Sequence, residues 1–435
     1  MVKKMLSVLM VLMLLFVQGS VVAEGDTIHL TFWHSMSENA AEALQSLVDA
    51  YNGGEGKAAG VEVETVYQGS YTDAVTKMTS LISANQLNDL PDVMQMDATG
   101  KVLFAATDAA YTVDDAMAEQ PDNDLSMMIA PAMMNWNLAG RQLGLPFATS
   151  TNVTYYNKTA LDAEGLGVPT SLEGLVAMAE KHADPAVALY ADVPNTPTLA
   201  NWLGGMGSYL VDQANGTAGT ATMLDCVENG KLAEFLTLWK KLYTVGALKN
   251  EKGSSDTFVG GSQLIYNNSS SGFVLLTKKI GGAFELGVAP YMAATEGGLS
   301  AASTGGSSVV LFRHDAARQA AAWSFVRYLT GAEAQADFAA STGYLPANRL
   351  AVETEAWKNY TAVNPQVEVM MHQLLNTPDT MRSVTIGPSA DFYYAIQNNV
   401  TDMLDNDIDP AEAAQTMADD LNGLLQQYLK SNPGK

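Results

Sequence analysis

The chain has 435 residues, enough for two or three domains, and 47% of them are apolar, as in a globular protein with sizeable cores. With 47 acidic against 23 basic residues it carries a formal net charge of −24, which makes nucleic acid and anionic membrane surfaces poor partners. Any anion it binds has to be held by local groups, and the lone Cys226 leaves no internal disulfide, so it reads as a buried apolar residue.

Lys3 and Lys4 precede an apolar run over 5–17, and Val21 and Ala23 occupy the small-residue positions of a cleavage site. Residues 1–23 therefore read as a signal peptide, with a retained anchor as the alternative. No cysteine lies near the cleavage point, so a lipoprotein is not expected, and the mature chain is expected to be soluble outside the cytoplasm.

The mature N-terminus alternates strand and helix. Strands are expected at 27–33, 61–67 and 92–96, with helices at 38–51, capped by Ser37, and 71–84. That order implies βαβ units and a mostly parallel sheet, whose ligands bind beyond the carboxyl ends of the strands. Those ends carry His34-Ser35, Gln68 to Tyr71, and Asp97. The stretch 144–158 is a Pro-containing turn that passes small hydroxyl residues, Ser150 among them, into a strand at 152–157. The middle, 161–249, is largely helical, with a capping-box pattern at Thr170 to Glu173, Trp202 beside a Gly-rich turn, and a helix at 231–245. Later strands are expected at 263–266, 286–290 and 307–312, with a Gly/Ser/Thr/Ala connection at 297–306. A helix follows at 315–329. A second aromatic-bearing crossing lies at 342–346, and an amphipathic covering helix closes the chain at 409–429.

Catalytic patterns are thin. The five histidines have no H-E-x-x-H or H-x-H spacing and no C-x-x-C occurs, so neither a metal nor a cofactor is expected. No G-x-S-x-G elbow or phosphate-binding G-x-x-x-x-G-K loop is present. A glycoside hydrolase would need only two carboxylates, and nothing singles out a pair. Trp33, Tyr71, Trp202 and Tyr344 fall at predicted strand ends or loops. Flat aromatic faces beside hydroxyls and carboxylates suit polyols and sugars, the alternative being ordinary core aromatics.

Six segments carry a resemblance: F-W-H-S-M at 32–36, G-S-Y ending at Tyr71, P-F-A-T-S-T-N-V-T-Y-Y-N-K at 146–158, S-S-G at 270–272, G-G-S-S at 305–308 and T-G-Y-L-P at 342–346. Together and in this order they resemble the extracellular solute-binding proteins of ABC importers, group 1, and within them the glycerol-3-phosphate binders. The resemblance implies an α/β, two-lobed periplasmic binding protein fold (type II), with mixed sheets flanked by helices, a hinge and an interlobe cleft. Lobe 1 is expected at 24–146 and 290–335, and lobe 2 at 147–289 and 336–435. It implies a monomeric, non-enzymatic protein that closes on its ligand and delivers it to ABC permease subunits in the membrane. The matching positions place Tyr71, Asp97, Ser150, Trp202, Ser271, Gly306 and Tyr344 at the cleft. The family's glycerol-3-phosphate binders carry an Arg two residues before a late-loop Gly. Here Thr385 stands there, before Gly387, and Arg382 is the nearest replacement. A family tryptophan near Val193-Pro194 is also missing. The expected ligand is glycerol-3-phosphate or a glycerophosphodiester, with a sugar or oligosaccharide as the alternative.

Overall fold

A computed structural model describes residues 27–121 and 123–432; the expected signal peptide lies outside the described residues. Strand Ile28–His34 runs parallel to Val61–Tyr67 on one side and to Val93–Asp97 on the other. Val93–Asp97 pairs antiparallel with Thr304–Phe312, which in turn pairs antiparallel with the first part of Leu145–Asn157. This last strand then changes partners. Thr151 still faces Thr304, while Asn152 faces Ser269 of Gln263–Ser269, and Val153 faces Pro290 of Leu286–Pro290. Beyond Gln263–Ser269 lie Ala188–Ala191 and Leu248–Lys249, both in parallel pairing. Two halves of mixed sheet therefore share one continuous strand, and helices cover both, as in the type II periplasmic solute-binding fold.

The shared strand starts at Leu145, seven residues before the expected 152. Thr149, Ser150 and Thr151 look like a turn locally, but their backbone pairs with Gly306, Gly305 and Thr304. Small polar side chains are tolerated there because the ladder satisfies the backbone and flanking elements bury the rest. For the same reason Thr304–Phe312 begins before the expected 307. Two caps also differ. Ser37 stands at the start of Glu38–Gly53 without a side-chain cap bond. Ser171, rather than Thr170, caps Leu172–Ala179, and Glu173 instead accepts from the Glu296 N–H at 3.0 Å.

Trp33 is a core residue rather than an open aromatic at a strand end; it is buried and Lys77 Nζ lies 4.2 Å from the centre of its ring. In the other half, Trp202, Phe235, Trp239 and Tyr291 build an aromatic core. The C-terminal helix Pro410–Ser431 covers it with Met417, Leu421 and Leu425. Cys226 sits in this core, and burial pushes its thiol up to about 12, so it is inert. Among the described residues no helix is long and apolar enough to cross a membrane.

One ion pair ties the first sheet half to its covering helix. Asp92, fully buried, accepts Arg318 Nε at 2.9 Å, Arg318 Nη2 at 2.8 Å and the Thr31 N–H at 2.8 Å. Removing the guanidinium strands a buried carboxylate. Arg318→Met should cost about 2 kcal/mol or more, below the value for a fully dry pair because Arg318 keeps some solvent. Urea unfolding measures it, and a change under 0.5 kcal/mol would show that the pair is not structural.

Candidate functional site

A cleft of about 720 Å³ opens where the two sheet halves meet. Local capping seats its first wall. Ser70 accepts from the Asp73 N–H while Asp73 accepts from the Ser70 N–H, which starts helix Tyr71–Ser83 with Tyr71 at the rim. The Tyr71 phenol accepts from Gln95 Nε2 at 2.6 Å; Gln95 also donates to Ser307 Oγ at 2.7 Å and accepts from the Ser35 N–H at 2.8 Å. A buried glutamine within the apolar strand Val93–Asp97 thus fixes three segments. Its polarity in that run was the available signal, and sequence reasoning passed over it.

Asp97 ends the same strand and faces the cleft. Burial raises its carboxyl above the usual range, against the lowering effect of the Thr99 hydroxyl and N–H. Burial likewise raises the Tyr71 and Tyr344 phenols, so both stay protonated and able to donate. Ser150 pairs with Gly305 across the ladder, next to Gly306. Gly306 has φ +91°, and a Cβ there would strike the Ala148 carbonyl oxygen. Ser271 Oγ lies 2.9 Å from Ser269 Oγ, in a loop that Tyr155 holds by donating to Ser269 O at 2.9 Å.

The structure brings Tyr71, Asp97, Ser150, Ser271, Gly306 and Tyr344 around one cleft. It leaves Trp202 out. Helix Thr196–Gly205 turns Leu199, Trp202 and Leu203 into the core and gives Thr196, Pro197, Ala200 and Asn201 to the cleft. Trp202 is 1% exposed, stacks on Phe235 at 5.4 Å and donates to Met292 O at 3.2 Å. Arg382 also stands off the lining; its Nε donates to Asp379 O at 2.7 Å, while Ser383 to Ile386 form the wall. The lining further includes Asn135, Asn152, Asn201, Tyr393 and Tyr394, none of them foreseen. Tyr393 and Tyr394 lie off the apolar stripe Phe392, Ile396, Val400 and Met403 of Ser389–Asp405, which is a mark legible in the sequence, and in the structure Tyr394 is exposed. Among the described residues Asp97 is the one carboxylate in the lining, and no Lys, Arg or His side chain joins it.

A profile of the family described as bacterial extracellular solute-binding protein matches residues 46–365. The chain belongs to the bacterial extracellular solute-binding proteins. Proteins of this family bind small solutes and deliver them to ABC permeases. A relative from Pectobacterium atrosepticum, named sn-glycerol-3-phosphate-binding periplasmic protein UgpB, is 23% identical over 92% of each chain. Two solved structures share the fold. UgpB from Mycobacterium tuberculosis, in complex with glycerophosphocholine, has a TM-score of 0.75 at 19% identity and covers 93% of this chain and 99% of its own. The cyclic alpha-maltosyl-1,6-maltose binding protein of Arthrobacter globiformis has a TM-score of 0.77 at 18% identity and covers 93% and 100%.

Because Gly306 combines a left-handed φ with contact on Ala148 O, Gly306→Ala has to shift the cleft wall. It should lower stability by about 1–3 kcal/mol and weaken solute binding. Thermal unfolding and calorimetry on the same sample check both, and wild-type values in each would refute the close approach.

Proposed function

We propose that this solute-binding protein is the exported capture subunit of an ABC importer and that its ligand is an uncharged polyhydroxylated molecule, a sugar or short oligosaccharide. The observation that carries the reading is the lining itself: among the described residues it offers hydroxyls, amides, tyrosines and one carboxylate, with no basic side chain. A phosphate dianion entering this cleft would lose its hydration, meet Asp97 and gain no cation, in a chain of net charge −24. Sugar hydroxyls instead donate to Asp97 and accept from Ser150, Ser271, Tyr71 and Tyr344. The faces of Tyr393 and Tyr394 suit sugar C–H groups. A glycoside hydrolase would need a second carboxylate opposite Asp97.

This reverses the order of ligands implied by the resemblance, in which glycerol-3-phosphate came first. A glycerophosphodiester is the second reading. It carries one negative charge, and the first residues of the helices at Tyr71, Thr196 and Ser389 line the cleft, where backbone N–H groups can receive an anion. The curated relatives support that reading by name, with Arg382 as the group to turn inward.

Closure would bend the chain where the shared strand changes partners, between Thr151 and Asn152, later than the 146/147 lobe boundary expected from sequence. The remaining boundaries, the cleaved signal peptide, the periplasmic location and the monomeric state belong to the same proposal.

Calorimetry with maltose, maltotriose, sn-glycerol 3-phosphate and glycerophosphocholine decides between the two. Heat with a phosphate ligand and none with any sugar would sink the first reading. Asp97→Asn should weaken sugar binding about tenfold or more, since hydrogen bonds to a charged acceptor are lost. Binding needs the ionised carboxylate, and burial raises its pKa. Affinity should therefore hold at neutral pH and fall with acidification at a pH above the ordinary aspartate value of about 4. A pH-independent affinity down to about 4 would remove Asp97 from the ligand contacts.

A further inference from the structure

Residues 213–216 form a left-handed turn. Gln213, Ala214 and Asn215 have φ of 55°, 52° and 59°, and Gly216 follows at 76°. Side chains of L-residues crowd the backbone in this region, so a run of residues with Cβ is strained there and persists only where its surroundings hold it. Hydrogen bonds hold this one. Asp212 accepts from the Thr222 N–H and hydroxyl, each at 2.7 Å, and the Thr217 hydroxyl donates to Ala214 O at 2.7 Å. Asn215 is 2% exposed, and its Oδ1 accepts from the Leu210 and Val211 N–H groups at 2.8 and 3.2 Å.

The remaining groups of Asn215 serve the cleft. Its Nδ2 donates to Arg382 O at 2.8 Å, and its backbone carbonyl accepts from the Thr385 N–H at 2.8 Å. Ser383 to Ile386 line the cleft and belong to no helix or strand. Among the described residues, Thr385 is the only one of 383–387 whose backbone N–H has a protein partner. Gly216 packs beneath it, where a Cβ would lie 2.1 Å from Thr385 O. A wall without a ladder of its own takes its course from the groups that bond its backbone. The same turn reaches the first sheet half. Thr217 O accepts from the Ala139 N–H at 2.8 Å, at the tip of the hairpin of Asn137–Leu138 and Arg141–Gln142. That hairpin is rooted in the first half, where Trp136 and Leu143 pack with Trp33 and Met94, whereas Leu210 and Val211 belong to the core of the second.

We propose that this left-handed turn is a clamp that positions the cleft wall, with Asn215 as the positioning residue, and that solute binding depends on it. Among the described residues none of 210–217 lines the cleft, so the turn acts through the wall and not on the solute. A right-handed turn would aim the Asn215 carbonyl and amide away from Arg382 and Thr385, so the strained backbone is the condition for both contacts. The bond from Ala139 to Thr217 refers the wall to both sheet halves at once. The clamp serves whatever solute the cleft takes and is independent of the choice between a sugar and a phosphodiester.

Hydrogen exchange and binding test it on two variants. Asn215→Asp keeps the acceptor that the Leu210 and Val211 N–H groups need, but sets a carboxylate oxygen against Arg382 O in place of the donor. By hydrogen-exchange mass spectrometry, segment 381–388 should exchange about tenfold faster than in the wild type, while segment 208–212 keeps its protection. Affinity for maltotriose or glycerophosphocholine, whichever the wild type binds, should fall about tenfold. The exchange measurement needs no solute and decides on its own should neither bind. If Asn215→Asp fails to fold, Asn215→Gly decides by the exchange of 381–388 and the same affinity, since glycine keeps the left-handed backbone without strain and loses only the side-chain bonds. Wild-type exchange in 381–388, or wild-type affinity in a folded variant, would overturn the proposal.

Discussion

The structure depends on the register of one strand. Leu145–Asn157 is buried along nearly its whole length and belongs to both halves of the sheet, changing partners between Thr151 and Asn152. A shift of one residue would turn Ser150 away from the cleft and bring the bulkier, β-branched Thr149 or Thr151 to it. Gly306 locks that register from the facing strand, because only a residue without Cβ can approach Ala148 O with a positive φ. Tyr71 and Asp97 are held relative to this ladder through Gln95 and Ser307, Ser271 through the loop that Tyr155 fixes, and Tyr344 through its neighbour Leu345, whose N–H donates to Thr149 O at 2.8 Å.

Charge is distributed with the same economy. Arg318 is committed to the buried Asp92, and Lys77 lies over the Trp33 ring. Arg382 stands behind the cleft wall rather than in it, and Lys101 is buried with its ammonium donating to Asn135 O. The cleft is left with dipolar donors and acceptors around one carboxylate. Such a surface offers hydrogen-bond geometry rather than net charge as its means of recognition, which is why a polyhydroxylated solute is proposed.

Much of this was legible in the chain. Val61–Tyr67 and Leu286–Pro290 match their expected bounds, because alternation and bounding turn residues are local signals. Six of the eight expected cleft residues do surround one cleft, since they sit in short motifs at strand ends, where α/β sheets present ligands. Trp202 misled because a helix has two faces, and the Gly-rich turn beside it suggested openness where Phe235 and Trp239 cover it. Arg382 misled because its expected role came from a neighbour in sequence, whereas its Nε is turned to donate to Asp379 O and its backbone carbonyl is held by Asn215 Nδ2.

By itself the sequence determined the class of the protein: strand–helix alternation, strong acidity and the ordered motifs are all readable without tertiary information. It also determined Thr385 in place of an arginine, and with it the doubt about a phosphate ligand. The tertiary structure alone decided which face of Thr196–Gly205 meets the cleft, that Asn201 joins the lining, and that among the described residues no cation does. Those outcomes depend on contacts between residues far apart in the chain, such as Asn201 with Ser303, and local sequence patterns carry no record of them.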